Sequence, residues 1–186
     1  MHCQLLHPFA SELVSAVAVM RFGKMSLACA LLVALGAPLH AQAVKEQTKL
    51  LLHIEAADTV NPDTSLRPSP IKVRIYELKD AGAFAESDYF SLDSTDKVAL
   101  AADMLAKDEF ILRPGEKKDI ERKSNSQTTA IGVLAGYRDL PNSTWRVIYK
   151  LKDAPEASWM RALLPSNRAE LLIQLQPQGI ALTEMP

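Results

Sequence analysis

Residues 60–78 join a proline-rich loop to an alternating strand and read Val60-Asn61-Pro62-Asp63-Thr64-Ser65-Leu66-Arg67-Pro68-Ser69-Pro70-Ile71-Lys72-Val73-Arg74-Ile75-Tyr76-Glu77-Leu78. In the second half, apolar and polar side chains alternate, which is typical of a half-buried antiparallel strand. One set is expected to face a core, namely Ile71, Val73, Ile75 and Leu78. The other set is expected to face water, namely Lys72, Arg74 and Glu77.

The loop before this strand is predicted to be stiff. Its prolines fix the backbone φ angle and lack an N–H, so the segment can be ordered without joining a sheet. The side chains of Asn61 and Asp63 can close local turns. A stiff exposed loop binds a partner at low entropic cost, so the pattern indicates a recognition surface and not an active site.

Two residues of this loop keep two interpretations each. Arg67 is either a solvated charge or an anchor for a carboxylate of the partner, because a guanidinium forks onto carboxylates. Leu66 either packs inward or meets a partner, since an exposed leucine contributes nothing to a loop by itself.

Together with the strand over 71–78, seven or eight short strands are predicted in the chain. The other segments cover 49–56, 109–112, 117–122, 128–137, 145–151, 169–175 and 179–182. The polar segment 117–122 is expected at a sheet edge and the apolar segment 128–137 in a sheet centre. The alanine-rich segment 96–108 has the apolar spacing of a short helix. Trp145 is expected in the core, whereas Trp159 is either a loop anchor or an interaction patch. Together these segments predict a mainly all-β protein, a two-sheet β-sandwich with a short helical insertion.

The first 43 of the 186 residues read as an upstream and signal segment. A basic start at Arg21–Lys24 precedes an apolar run over 25–37 and a small-residue end, which predicts cleavage after Ala43 and removal of 1–43. The apolar run is shorter than the about 20 residues that span a bilayer. We then expect one β-sandwich domain over 44–186. Lipidation at Cys29 is the disfavoured alternative, because little apolar length separates Lys24 from Cys29.

The remaining chain is poor in catalytic residue types. Both cysteines, Cys3 and Cys29, lie in the segment to be removed, and His53 is the histidine that stays. Without Glu12, Arg21 and Lys24, which the segment carries, the formal charge moves from −1 to about −2. No metal site, nucleophilic triad, phosphate loop or cofactor is therefore predicted, nucleic acid is not an expected partner, and we expect no enzyme.

A series of short motifs, in order, resembles the TssJ (SciN) family of type VI secretion. They are Asn61-Pro62-Asp63, Arg67-Pro68-Ser69-Pro70, Val73-Arg74-Ile75-Tyr76-Glu77-Leu78-Lys79, Phe84, Asp88-Tyr89-Phe90, Leu112-Arg113-Pro114-Gly115, Gly132-Val133-Leu134-Ala135-Gly136-Tyr137-Arg138-Asp139 and Trp145-Arg146. No single motif is specific, but the whole order is, and it covers nearly the entire domain.

The resemblance implies a transthyretin-like β-sandwich that acts as a non-catalytic structural subunit at the periplasmic face of the outer membrane. In the family, the protein binds the carboxy-terminal periplasmic domain of TssM, which assembles with TssL into a trans-envelope complex. The family's contact is the loop between the first two strands, which here comprises Asp58, Thr59, Val60, Asn61, Pro62, Asp63, Thr64, Ser65, Leu66, Arg67, Pro68 and Ser69.

The chain departs from the family in one respect, because no cysteine follows its apolar segment. We therefore question the lipid anchor, although outer-membrane association remains part of what the resemblance implies, and we expect no incorporation of radiolabelled palmitate. The alternative function, from another class, is a periplasmic β-sandwich that binds a small ligand or a cell-wall glycan.

Overall fold

The computed structural model describes residues 45–153 and 167–186, and these residues form a two-sheet sandwich. The eight strands are β1 Lys49–Ala56, β2 Ile71–Leu78, β3 Met104–Leu112, β4 Lys117–Lys123, β5 Ala130–Ala135, β6 Arg146–Lys150, β7 Arg168–Gln176 and β8 Gly179–Glu184. The first sheet has the order β4-β1-β7-β8 and the second has the order β3-β2-β5-β6. The predicted fold class is confirmed.

The first sheet is organised around β1. It pairs antiparallel with β4 and parallel with β7, which in turn pairs antiparallel with β8. Leu50, Leu52 and Ile54 alternate with more exposed residues and are fully buried, because one face of the strand meets the other sheet. The polar strand β4 lies at the edge of the sheet, as its sequence predicts.

The second sheet has β2 and β5 in its centre, and all six residues of β5 are buried. One face of this sheet packs on the first sheet in the main core. The other face is covered by three short helices, α1 Gly82–Glu86, α2 Tyr89–Ser94 and α3 Asp96–Ala99, and by a 3₁₀ turn over Ala101–Asp103. A strand covered on both faces reads as a continuous apolar run, which is why the prediction of a central strand is confirmed.

The helices carry a second, smaller core. Phe84 of α1 and Leu92 of α2 are fully buried against Tyr76 of β2, whose ring lies 5.4 Å from that of Phe84. Asp88 caps α2, since its carboxylate accepts the N–H of Ser91 over 3.0 Å. Trp145 is partly buried and packs on both cores, whereas Trp159 lies outside the described residues.

The prediction that Arg74 and Glu77 face water is wrong, because the helices and the β4 region cover them. Arg74 is 6% exposed and donates from Nη1 to the carbonyls of Leu92 and Asp93, at 2.8 Å each. Glu77 is 2% exposed, and its Oε1 forms an ion pair with Arg122 Nε at 2.8 Å. Its Oε2 accepts the N–H of Asn125 and the hydroxyl of Thr128, at 2.8 Å each. Burial of both charges is therefore matched by hydrogen bonds and ion pairs.

The predicted helix over 96–108 ends early. Helix α3 stops at Ala99, Ala101 has a φ of +40°, and Met104–Leu112 is strand β3. β3 pairs with β2 continuously from Ile71↔Leu112 to Glu77↔Ala106 and, after an irregularity, at Leu78↔Met104, so it forms the ladder hydrogen bonds of a strand. This pairing outweighs the helix propensity of a few alanines.

Candidate partner-binding loop

The β1–β2 loop, Asp58–Ser69, lies at the end of the sandwich where four connections meet. β4 begins beside the end of β1 in the pair Glu55↔Lys117, and β7 ends beside it in the pair Ala56↔Leu175. The β3–β4 turn, the β5–β6 loop and the β7–β8 turn therefore surround the base of the β1–β2 loop.

The base of the loop is built into the core. Val60 is fully buried and Asn61 is 4% exposed. Asn61 Nδ2 donates to the carbonyl of Pro70 over 2.9 Å, and Asn61 Oδ1 accepts the backbone N–H of Arg138 over 2.8 Å. The N–H of Ser69 donates to the carbonyl of Val60, which closes the loop at its neck. The two ends of the loop and the β5–β6 loop are thus one hydrogen-bonded unit.

The tip of the loop is held by Asp63. Its Oδ1 accepts the backbone N–H groups of Ser65 at 2.8 Å and Arg67 at 3.0 Å. Its Oδ2 accepts Arg67 Nε at 2.8 Å, and Arg67 Nη2 lies 2.7 Å from the same oxygen. The N–H and guanidinium of Arg67, with the N–H of Ser65, hold the pKa of Asp63 below its ordinary value. The carboxylate therefore stays charged and keeps the tip closed at neutral pH.

Two residues of the loop adopt the left-handed backbone region, Asn61 with a φ of 49° and Leu66 with a φ of 60°. Asparagine tolerates this region, whereas a bulky residue there is uncommon. Leu66 is 81% exposed.

A cleft of about 540 Å³ opens beside the tip. One wall is the β1–β2 loop from Asn61 to Thr64 with Leu66, the second is Tyr137–Asp139, and the third is Pro177 with Gln178. Tyr137 is buried, and its hydroxyl donates to the carbonyl of Gln176 over 3.1 Å, so two walls are tied together.

The structure sorts the predicted loop residues into a supporting and a presenting group. Val60, Asn61 and Ser69 are buried, so their role in any contact is support. Exposed positions are Asp58, Thr59, Thr64, Ser65, Leu66, Arg67 and Pro68. Asp63 closes a local turn as predicted, whereas Asn61 instead bridges to Arg138, a residue 77 positions away. Leu66 does not pack inward, which excludes the first of its two interpretations. Arg67 is an exposed charge that is paired with Asp63.

Sequence reasoning missed the cleft walls formed by Tyr137–Asp139 and by Pro177 and Gln178. These residues lie far from the loop in the sequence, so no local spacing pattern relates them to it. Only the pairing of β5 with β2, and of β7 with β1, brings them to the same end.

His53 of β1 lies on the outer face of the first sheet. Its Nδ1 is 2.6 Å from Asp119 Oδ1 on β4, and its Nε2 is 3.3 Å from Glu170 Oε1 on β7. The hydrogen bond to Asp119, followed by the one to Glu170, raises the pKa of His53. The two carboxylates lie on opposite sides of the ring, and no group of three or more metal-ligating side chains within residues 45–153 and 167–186 is arranged to hold a metal ion.

No helix among the described residues is long and apolar enough to cross a membrane. Cys29, the disfavoured lipidation site, and Ala43, after which cleavage is predicted, both lie outside those residues.

Comparison with protein families gives a match over residues 48–178 to the family described as type VI secretion lipoprotein (T6SS-SciN; VasD, EvfM, TssJ). No curated protein matches the chain.

Solved structures are similar over most of the domain. The T6SS lipoprotein TssJ1 from Pseudomonas aeruginosa is 35% identical, with 75% of this chain and 98% of that chain covered and a TM-score of 0.65. Lip from Serratia marcescens, a membrane-bound component of the type VI secretion system, is 28% identical over 73% and 97% of the two chains, with a TM-score of 0.64. A chain in the structure described as that of the T6SS protein TssM C-terminal domain from EAEC is 26% identical over 74% of this chain and 98% of that chain, with a TM-score of 0.55.

Proposed function

The chain belongs to the type VI secretion lipoprotein family TssJ (SciN), and we propose that it is a non-catalytic subunit of the trans-envelope membrane complex of that system. It binds the carboxy-terminal periplasmic domain of the cognate TssM through the β1–β2 loop, and reaches TssL only through TssM.

The observation that carries this proposal is the preorganised state of the loop. Asn61 fixes its base and Asp63 its tip, while residues 64–68 remain exposed. A loop already in one conformation loses little conformational entropy on binding, so more of the free energy of its contacts contributes to the affinity. Similarity to a chain in the structure described as that of the TssM C-terminal domain supports the choice of partner.

We place the protein in the periplasm at the inner face of the outer membrane. The family is described as a lipoprotein family, so the doubt about a lipid anchor raised by the sequence finds no support. Cys29 is the candidate attachment site, and cleavage after Ala43 would remove it. Palmitate labelling that Cys29→Ala abolishes would establish the anchor, whereas an unlabelled protein that begins at Val44 would refute it.

The domain assignment is likewise a proposal, with residues 44–186 forming the single domain of the exported protein. The alternative function, binding of a small ligand or a cell-wall glycan, would use the cleft of about 540 Å³, which the β1–β2 loop itself lines.

Co-purification with the TssM domain tests the proposal. Replacement of residues 61–67 by a Gly/Ser linker is expected to abolish binding, because it removes both fixed points of the loop. Val98→Ala is the matched control, since Val98 is 80% exposed on α3, outside the loop. Full binding by the loop variant would refute the loop as the contact.

A further inference from the structure

Leu66 places a bulky apolar side chain, without burial, at a backbone position that disfavours bulk. Its side chain is 81% exposed, and its backbone φ is 60°. A γ-branched side chain in the left-handed region crowds its own backbone, and glycine or asparagine would adopt this conformation more easily. The unfavourable backbone is not offset by burial, because Leu66 belongs to neither core.

Asn61 provides the contrast within the same loop. It also has a positive φ, but its residue type tolerates it, and its side chain bonds Pro70 and Arg138. The side chain of Asn61 therefore stabilises the fold, whereas Leu66 joins the turn of the tip through its backbone and its side chain packs in neither core.

Other exposed apolar side chains do not share this combination. Phe90, Val98 and Ile111 are 69%, 80% and 65% exposed and belong to α2, α3 and β3. Among the described non-glycine residues a positive φ occurs at Asn61, Leu66 and Ala101, so exposed bulk and positive φ coincide only at Leu66 in that part of the chain.

The direction of Leu66 is fixed before any partner arrives. Its N–H donates to the carbonyl of Asp63 at 2.9 Å, and the N–H of Asp63 donates to the carbonyl of Arg67 at 2.9 Å. The carboxylate of Asp63 engages the guanidinium of Arg67 on the other side of Leu66. The tip is thus a closed turn that projects one apolar side chain between two mutually neutralised charges.

We infer that Leu66 is the anchor residue of the interface and inserts into an apolar pocket on the partner protein, and this inference rests on the proposed function. Because Arg67 is paired with Asp63, it positions the tip and does not supply the main contact. Leu66 also lines the cleft beside Tyr137 and Pro177, so a partner surface that covers it extends over that cleft.

Substitutions at Leu66 separate a contact role from a structural one. Leu66→Asn suits a positive φ, so the melting temperature is expected to stay unchanged or rise. Its affinity for the TssM domain is expected to fall by about 10- to 100-fold, as for other central anchor residues. Leu66→Met keeps the apolar volume and is expected to bind within about threefold of the wild type.

The experiment measures melting temperature and dissociation constant for the exported protein purified from the envelope in detergent, with the wild type, Leu66→Asn, Leu66→Met and the control Val98→Ala. Weaker binding by Leu66→Asn alone, without loss of stability, supports the anchor. Wild-type affinity in Leu66→Asn, with a binding wild type, overturns the anchor but leaves the proposed function standing. A folded wild type that does not bind overturns both.

Discussion

Asn61 and Arg138 are joined by a hydrogen bond of 2.8 Å from the Arg138 backbone N–H to the Asn61 side-chain oxygen, across 77 residues of sequence. The bond couples the β1–β2 loop to the β5–β6 loop, because Asn61 also donates to Pro70 at the other end of its own loop. This end of the sandwich is therefore held from inside, and its exposed residues are already ordered before any partner binds.

Asn61→Ala is expected to destabilise the fold by about 2–4 kcal/mol, as judged from the cost of a buried N–H and carbonyl without partners and of alanine at a positive φ. Urea denaturation measures this change. Asn61→Asp keeps the acceptor for Arg138 but sets a buried carboxylate oxygen against the Pro70 carbonyl, so its loss at neutral pH should be at least as large. A loss below about 0.5 kcal/mol for Asn61→Ala would mean that this bond does not hold the loop.

Asp63→Ala is expected to loosen the tip without unfolding the domain, because Asp63 bonds only within the tip. Limited proteolysis should show new cleavage between Thr64 and Arg67, while the melting temperature changes little. Because the pKa of Asp63 is lowered, the stabilisation of the tip by its charged carboxylate is fully present above the ordinary carboxyl pKa range. It is lost as the pH falls through the lowered pKa. Wild-type resistance to proteolysis in the variant would show that Asp63 does not hold the tip closed.

His53 is expected to make stability depend on pH. Its folded-state pKa is raised by Asp119 and Glu170, so its stabilising contribution is fully present below the ordinary value of 6.5. That contribution is lost as the pH rises through the raised pKa. Thermal unfolding from pH 5 to 9 should show this decline, and His53→Gln should remove it. An equal decline in the variant would assign the effect to another group.

Gly132→Ala is expected to destabilise the domain by about 1–3 kcal/mol through overpacking. A Cβ at this buried position would lie 2.9 Å from Phe84 Cε1 and 3.1 Å from Leu78 Cδ1, and both side chains are fully buried. Gly82→Ala is the matched control, because its Cβ would meet only the end of the Asp80 side chain. Equal melting temperatures for the two variants would show that the packing of α1 on β5 is loose.

The sequence predicts the strands best where their periodicity is complete. The apolar residues of β1 and the apolar run of β5 identify the two strands, and the run of β5 also indicates its central place in the sheet. Prediction fails where an element distant in the sequence determines the burial or the secondary structure of a residue. Arg74 and Glu77 are buried by the helices and by β4, and residues 104–108 form a strand because they pair with β2.

The loop shows the same limit within the candidate site. Its stiffness follows from its prolines and from Asp63, whose bonds are local. Its attachment to Arg138 and the cleft walls at Tyr137 and Pro177 depend on strand pairing, which local patterns do not specify. The left-handed conformation of Leu66 is likewise visible only in three dimensions.

Isothermal titration of the exported protein with the carboxy-terminal periplasmic domain of its cognate TssM tests the central claim most directly. The same titration is made with the variant in which a Gly/Ser linker replaces residues 61–67. Saturable binding by the wild type, lost in a variant that remains folded, is the predicted result. Equal binding by both proteins, or none by a folded wild type, would contradict a partner contact through this loop.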